Sequence, residues 1–194
     1  MKLSDFRYEQ IKATVVATYD KYDIRHIPID CYEICLKMNI KLVEYSKLTD
    51  IGLQKAISVS EDGFCMLKDE GNMPFNYEQW YIFYNDSMGK ERIKFTILHE
   101  IGHIVLGHTQ HSELAESEAN FFAKYAISPP PLIDKIKPED FVELADKFEL
   151  SMECAFNSMR YYNNWLNYGG KCYKDYELKL LEQFEPYFER GDVN

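Results

Sequence analysis

Five consecutive residues, His99-Glu100-Ile101-Gly102-His103, constrain this chain more than any others. Around them, Phe95, Ile97, Leu98, Ile101, Val105 and Leu106 form a broad apolar surface at helical spacing, which predicts a helix held against a core. On a helix, residues four apart stand one above the other. The imidazoles of His99 and His103 therefore project from one face, about 6 Å apart at Cβ, near enough to share one metal ion. Glu100 lies about 100° round the helix, where it can take a proton from a metal-bound water. The pattern is the HExxH of zinc proteases, and it arises by chance in a chain of this length with a probability of roughly one in a hundred or less. Gly102 sits mid-helix at a cost of up to about 1 kcal/mol relative to Ala. A close neighbour, expected to be another backbone, would explain it.

A catalytic zinc takes three protein ligands and keeps one position open, so a third ligand is required. Residues 112–127 form the next predicted helix, with Leu114, Phe121, Phe122, Tyr125 and Ala126 as apolar positions and Pro129-Pro130-Pro131 ending it. Glu113, Glu116 and Glu118 compete there. Glu116 has Asn120 one turn along the same face, an amide able to orient a ligand histidine, whereas Glu118 points about 200° away. Glu116 is the expected ligand, and loss of Glu118 is expected to leave metal binding intact. His108, nine positions after His99, lies about 180° round the first helix and cannot join both motif histidines at one ion; an interaction with the helix C-terminal dipole is expected instead. His111 lies in the turn between the helices and could face the cleft or simply be solvated.

The combination Arg92-x-x-Phe95-Thr96-x-x-His99-Glu100-x-Gly102-His103, then Glu116-x-Glu118-Ala119-Asn120-x-Phe122-Ala123, then a Pro-rich helix end, resembles the ImmA/IrrE family of metallopeptidases. The resemblance extends more weakly from Ile27-Pro28-Ile29-Asp30 through Gly63-Phe64 and Tyr81–Asn85 to Phe148–Ser151, over most of residues 5–165. It implies that His99, His103 and Glu116 bind Zn²⁺ and that Glu100 is the catalytic base, in agreement with the helix geometry. It further implies an α+β, zincin-like metallopeptidase fold, mainly helical with a small three-stranded sheet beside the active-site helix. The substrate it implies is a helix-turn-helix repressor encoded beside the protein on a phage or integrative element.

A chain of 194 residues, 46% hydrophobic, is long enough to bury a core and falls among globular proteins. With no long apolar run and no basic-then-apolar leader, a cytoplasmic location is expected. Five cysteines without a dense pattern fit free thiols, Cys31 and Cys35 reading as small core residues. A net charge of −10 argues against a nucleic-acid surface and suits a basic partner.

Helices are expected at residues 5–22 and 29–38, and strands at 41–45, 63–67 and 79–84, separated by polar stretches around Asp50 and Glu70-Gly71-Asn72. Residues 80–85 are the candidate edge strand for holding an extended peptide, the alternative being a strand paired on both sides. Helices at 138–147 and 151–164 resemble a helix-turn-helix, but their many carboxylates favour packing or protein docking over DNA. Gly169-Gly170 stops or hinges the chain, and a helix at 173–184 ends at Pro186. The expected organisation is a metallopeptidase domain over 1–165 and a helical extension over 166–194, packed on the domain or a partner. The expected function is zinc endopeptidase, with His111 and Tyr125 as candidate oxyanion stabilisers. Its alternatives are a non-proteolytic zinc-binding regulator docking on a transcription factor and a toxin–antitoxin component.

Overall fold

In the computed structural model, residues 2–69, 78–169 and 172–189 are described. The expected turn at Glu70-Gly71-Asn72 and the second glycine of Gly169-Gly170 lie outside them. The fold is α+β, mostly helical with one three-stranded sheet. Contacts group the chain into two compact units, residues 30–123 and residues 1–29 with 124–194.

Within residues 30–123, α1 (Cys31–Lys37) starts where the Asp30 carboxylate accepts the N–H groups of Tyr32 and Glu33. β1 (Lys41–Glu44) leads through a 3-10 turn to α2 (Asp50–Val59), capped by the Thr49 hydroxyl. The sequence reading missed α2, and the reason is physical. Of its residues only Ala56 is buried, while Ile51 and Val59 face solvent at 68% and 66% exposure, so its apolar positions do not trace one face. β2 (Gly63–Asp69) and β3 (Glu78–Tyr84) follow. The sheet order is β1-β3-β2, with β1 parallel to β3 (Leu42 opposite Ile82) and β2 antiparallel to it (Cys65 opposite Ile82). β3 is thus paired on both sides, and the edge-strand expectation for residues 80–85 is corrected: among the described residues the edges are β1 and β2. One sheet face packs Phe64 and Phe83, stacked at 5.0 Å, with Tyr45 and Ala56. α3 (Lys90–Leu106), the helix of the HExxH stretch, packs on β2 and β3 and buries Ile97, Leu98 and Ile101. α4 (Glu113–Ile127) belongs to this unit as far as Ala123.

The other unit is helical. α5 (Asp5–Lys21, first in the chain) packs on α6 (Asp175–Glu189, the last helix), with Ile11, Val15 and Tyr19 buried on one and Leu180 and Phe184 on the other. Between them in sequence come α7 (Pro130–Ile136), α8 (Phe141–Phe148) and α9 (Met152–Tyr168). α7 is a further helix where only a stop was expected, because proline at the first helical positions lacks only an N–H that is unpaired there anyway. α8 and α9 pack against each other, and the Ser151 hydroxyl caps α9. Residues of the expected C-terminal extension are tied into this unit: the Tyr173 and Tyr162 hydroxyls both donate to Asp134, at 2.5 and 2.7 Å, and the Trp165 indole donates to Glu177 at 2.8 Å. Pro186 does not end α6, contrary to expectation. The helix runs on to Glu189, and since Glu182 is exposed, water can satisfy the carbonyl that proline leaves without a donor.

Candidate metal centre

α3 presents His99 and His103 on one face, and α4 brings Glu116 against them. His99 Nε2 and His103 Nε2 are 3.0 Å apart, His103 Nε2 is 3.3 Å from Glu116 Oε1, and His99 Nε2 is 3.4 Å from Glu116 Oε2. Ligand atoms about 2.0–2.1 Å from one tetrahedral ion stand about 3.3–3.4 Å from each other. The three side chains therefore fit a divalent metal ion in spacing and in chemistry, two nitrogen donors and one oxygen donor. Among the described residues they are the one such cluster.

Two glycines make this approach possible. A Cβ on Gly102 would stand 3.1 Å from Cβ and Cδ1 of Phe122, so the close neighbour is an α4 side chain and not the expected backbone. Gly107 ends α3 in the left-handed region at φ 72, where side chains are disfavoured, and turns the chain toward α4. At the other end of α3, Arg92 grips Asp62 through two hydrogen bonds of 2.7 Å, next to the start of β2. The Ser112 hydroxyl accepts the Ala115 N–H at the start of α4, one turn before the carboxylate that joins the histidines.

Burial lowers the affinity of both histidines for protons, that of His103 to a pKa of about 4. Both are neutral at pH 7, the form that can ligate a metal. The side chain of Asn120 hydrogen-bonds His99, as its place one turn beyond Glu116 suggests. Glu100 is 6% exposed, and its carboxylate accepts the Cys65 N–H at 2.9 Å. Burial raises its pKa to about 7, against the opposing effect of the Cys65 hydrogen bonds. A base poised near neutrality serves proton transfer in both directions. These groups line a cleft of about 520 Å³, together with Phe64 and Cys65 of β2, Phe95 of α3 and residues 108–111.

The remaining candidates fall in different places. His111 is 85% exposed at the cleft, with Nδ1 3.1 Å from Glu116 Oε1. Tyr125 is sealed in a core at 1% exposure, which removes it as an oxyanion candidate. His108, expected to interact with the helix C-terminal dipole, has its ring edge-on to that of His103, 5.0 Å between centroids, and reaches Glu118. Glu118, set aside in the sequence reading, is 5% exposed. Its spacing from Glu116 placed it on another helix face, and only the fold of residues 107–111 could show what meets that face. Cys65 was likewise overlooked, because a backbone N–H carries no mark of its role in the residue type.

The family model of the IrrE N-terminal-like domain, Peptidase_M78, matches residues 65–157. No curated protein matches the chain. The match begins on the β2 residue that holds Glu100 and takes in all of α3 and α4, so the cluster and the carboxylate beside it lie inside it. The match over residues 65–157 supports an assignment to the ImmA/IrrE family of metallopeptidases.

Proposed function

We propose that this protein is a zinc-dependent endopeptidase, with His99, His103 and Glu116 as the metal ligands and Glu100 as the base. The observation that carries the reading is the convergence of two neutral imidazoles and a carboxylate beside a buried, hydrogen-bonded glutamate in one open cleft. Nitrogen and oxygen donors in this ratio suit zinc. When bound, the ion would acidify water and polarise the scissile carbonyl. Glu100 takes the proton from the attacking water and delivers it to the leaving amine, so one carboxylate serves both halves of the hydrolysis.

The free edge of β2 supplies a place for an extended peptide. Among the described residues β2 pairs with β3 alone, and the Cys65 N–H points away from β3 toward Glu100. Alternate residues of an antiparallel strand share that direction, so, with the Cys65 N–H held by Glu100, the Cys65 carbonyl and the Leu67 backbone groups face the side where a substrate strand would add. The proposed substrate is a helix-turn-helix repressor encoded beside the protein, cut at one or a few sites, with the net charge of −10 favouring its basic segments. No helix among the described residues is long and apolar enough to cross a membrane.

The test is to incubate zinc-loaded protein with that repressor and follow it by mass spectrometry. Discrete cuts that chelation abolishes, and that Glu100→Gln loses while still binding, support the reading. An intact repressor that co-purifies with the protein favours a docking regulator, and neither binding nor cleavage removes the repressor as partner.

A further inference from the structure

On the far side of the cluster, His103 makes a second contact that the peptidase reading does not use. Its Nδ1 lies 2.9 Å from Nδ1 of His108, and Nε2 of His108 lies 3.0 Å from Oε2 of Glu118. The chain is enclosed: the side chains of His103, His108 and Glu118 are 13%, 11% and 6% exposed. The backbone is shaped for it. Gly107 turns in the left-handed region and the His108 N–H donates to the His103 carbonyl at 3.0 Å, which returns the His108 ring alongside the ring one turn back.

With Glu118 ionised and both imidazoles neutral, hydrogen-bonding capacity fixes where each proton sits. An ionised carboxylate only accepts, so Nε2 of His108 carries the proton shared with Glu118. A neutral imidazole has one donor nitrogen, which leaves Nδ1 of His108 bare and accepting. The hydrogen of that contact must come from Nδ1 of His103. Nε2 of His103 is then the bare nitrogen, and it is the one that faces His99 and Glu116. Without this chain nothing would stop His103 from carrying its proton on Nε2, where Glu116 stands ready to accept it at 3.3 Å.

We propose that His108 and Glu118 are positioning residues that hold His103 in the tautomer presenting Nε2 to the metal; this rests on the reading of His103 as a ligand. The ExE spacing then has a physical meaning: Glu116 completes the cluster on one face of α4, while Glu118 on another face orders the ring of a histidine that completes the same cluster. Outer partners of ligand histidines typically change metal affinity by about 10- to 100-fold.

The test uses the full chain at one fixed pH near neutrality. Affinity for Zn²⁺ alone is measured against a competing chelator for the wild type, His108→Gln and His108→Phe. Glutamine can accept from Nδ1 of His103 and donate to Glu118, whereas phenylalanine fills the space and does neither. The expected result is near wild-type affinity for His108→Gln and a loss of about 10- to 100-fold for His108→Phe. Equal affinities for the Phe variant and the wild type would overturn the proposal, since packing alone would then suffice. Independently, ¹⁵N chemical shifts of His103 in the metal-free wild type should show the proton on Nδ1, and Glu118→Ala should move it toward Nε2. A wild-type proton on Nε2 overturns the proposal even if the variants do not fold. If the wild type binds no Zn²⁺ that His99→Ala removes, the ligand reading fails, while the tautomer measurement still decides the positioning role.

Discussion

Replacing Glu100 by Gln should separate the chemistry of the site from its cost to the fold. In the metal-free protein, burial raises the Glu100 pKa from 4.5 to about 7. Between those values the unfolded chain has released the proton and the folded chain retains it, so stability falls as pH rises through the window and levels off above it. A displacement of about 2.5 units at about 1.4 kcal/mol each is a loss of roughly 3 kcal/mol between pH 4 and pH 8. Gln cannot titrate but still offers an oxygen to the Cys65 N–H, which the carboxylate accepts at 2.9 Å. In the presence of chelator, urea unfolding of both proteins at pH 4 and pH 8 should show a Glu100→Gln variant that gains up to about 3 kcal/mol on the wild type as pH rises. Subtracting one profile from the other removes the titration of His99, His103 and the surface carboxylates, which both proteins share. Parallel profiles would refute the reasoning, because they would mean that the carboxylate is solvated or held charged by its neighbours. The same variant should retain Zn²⁺ and lose hydrolysis by at least about 10²-fold, the usual contribution of a general acid–base group.

Three other outcomes follow from particular contacts. Gly102→Ala places a Cβ 3.1 Å from Phe122; a helix-propensity gain of about 1 kcal/mol against an overpacking cost of about 1–3 kcal/mol predicts a net loss near 1 kcal/mol, read as a lower melting temperature, and a rise would show that Phe122 gives way. Glu116→Ala should abolish Zn²⁺ binding in elemental analysis, while Glu118→Ala only weakens it, and the reverse order would remove Glu116 as a ligand. Burial alone would raise the pKa of Glu9, but hydrogen bonds from Lys12, Lys174 and Tyr176 lower it to about 2. The stabilisation is therefore complete above about pH 4.5 and lost as pH falls toward 2, so Glu9→Gln should flatten acid unfolding followed by circular dichroism over that range, by an amount that solvent screening reduces because the side chain is 32% exposed.

Most of the helices and all three strands were legible because their signals are local. The spacing of Ile97, Leu98 and Ile101 marks α3, the Ser151 cap marks α9, and the run 79–84 marks β3. Strand order was not legible. Nothing in residues 79–84 says whether one neighbour or two will pair with them, since a buried central strand and a half-buried edge strand differ by what other segments do. The missed helix α2 shows the converse: where tertiary contacts bury only Ala56, periodicity carries little information.

The candidate site divides along the same line. Residues on one helix have fixed angular relations, so the sequence by itself determined that His99 and His103 share a face, that Glu100 stands beside them, and that Glu116 and Asn120 share a face of the next helix. Which partners meet from different elements depends on loop geometry and close packing, and only the tertiary structure decided those. It put the Cys65 N–H on Glu100, the Phe122 ring against Gly102, and β3 between β1 and β2. It also folded His108 back between His103 and Glu118, because a left-handed turn at Gly107 reverses the path of the chain and no helical periodicity extends through such a turn.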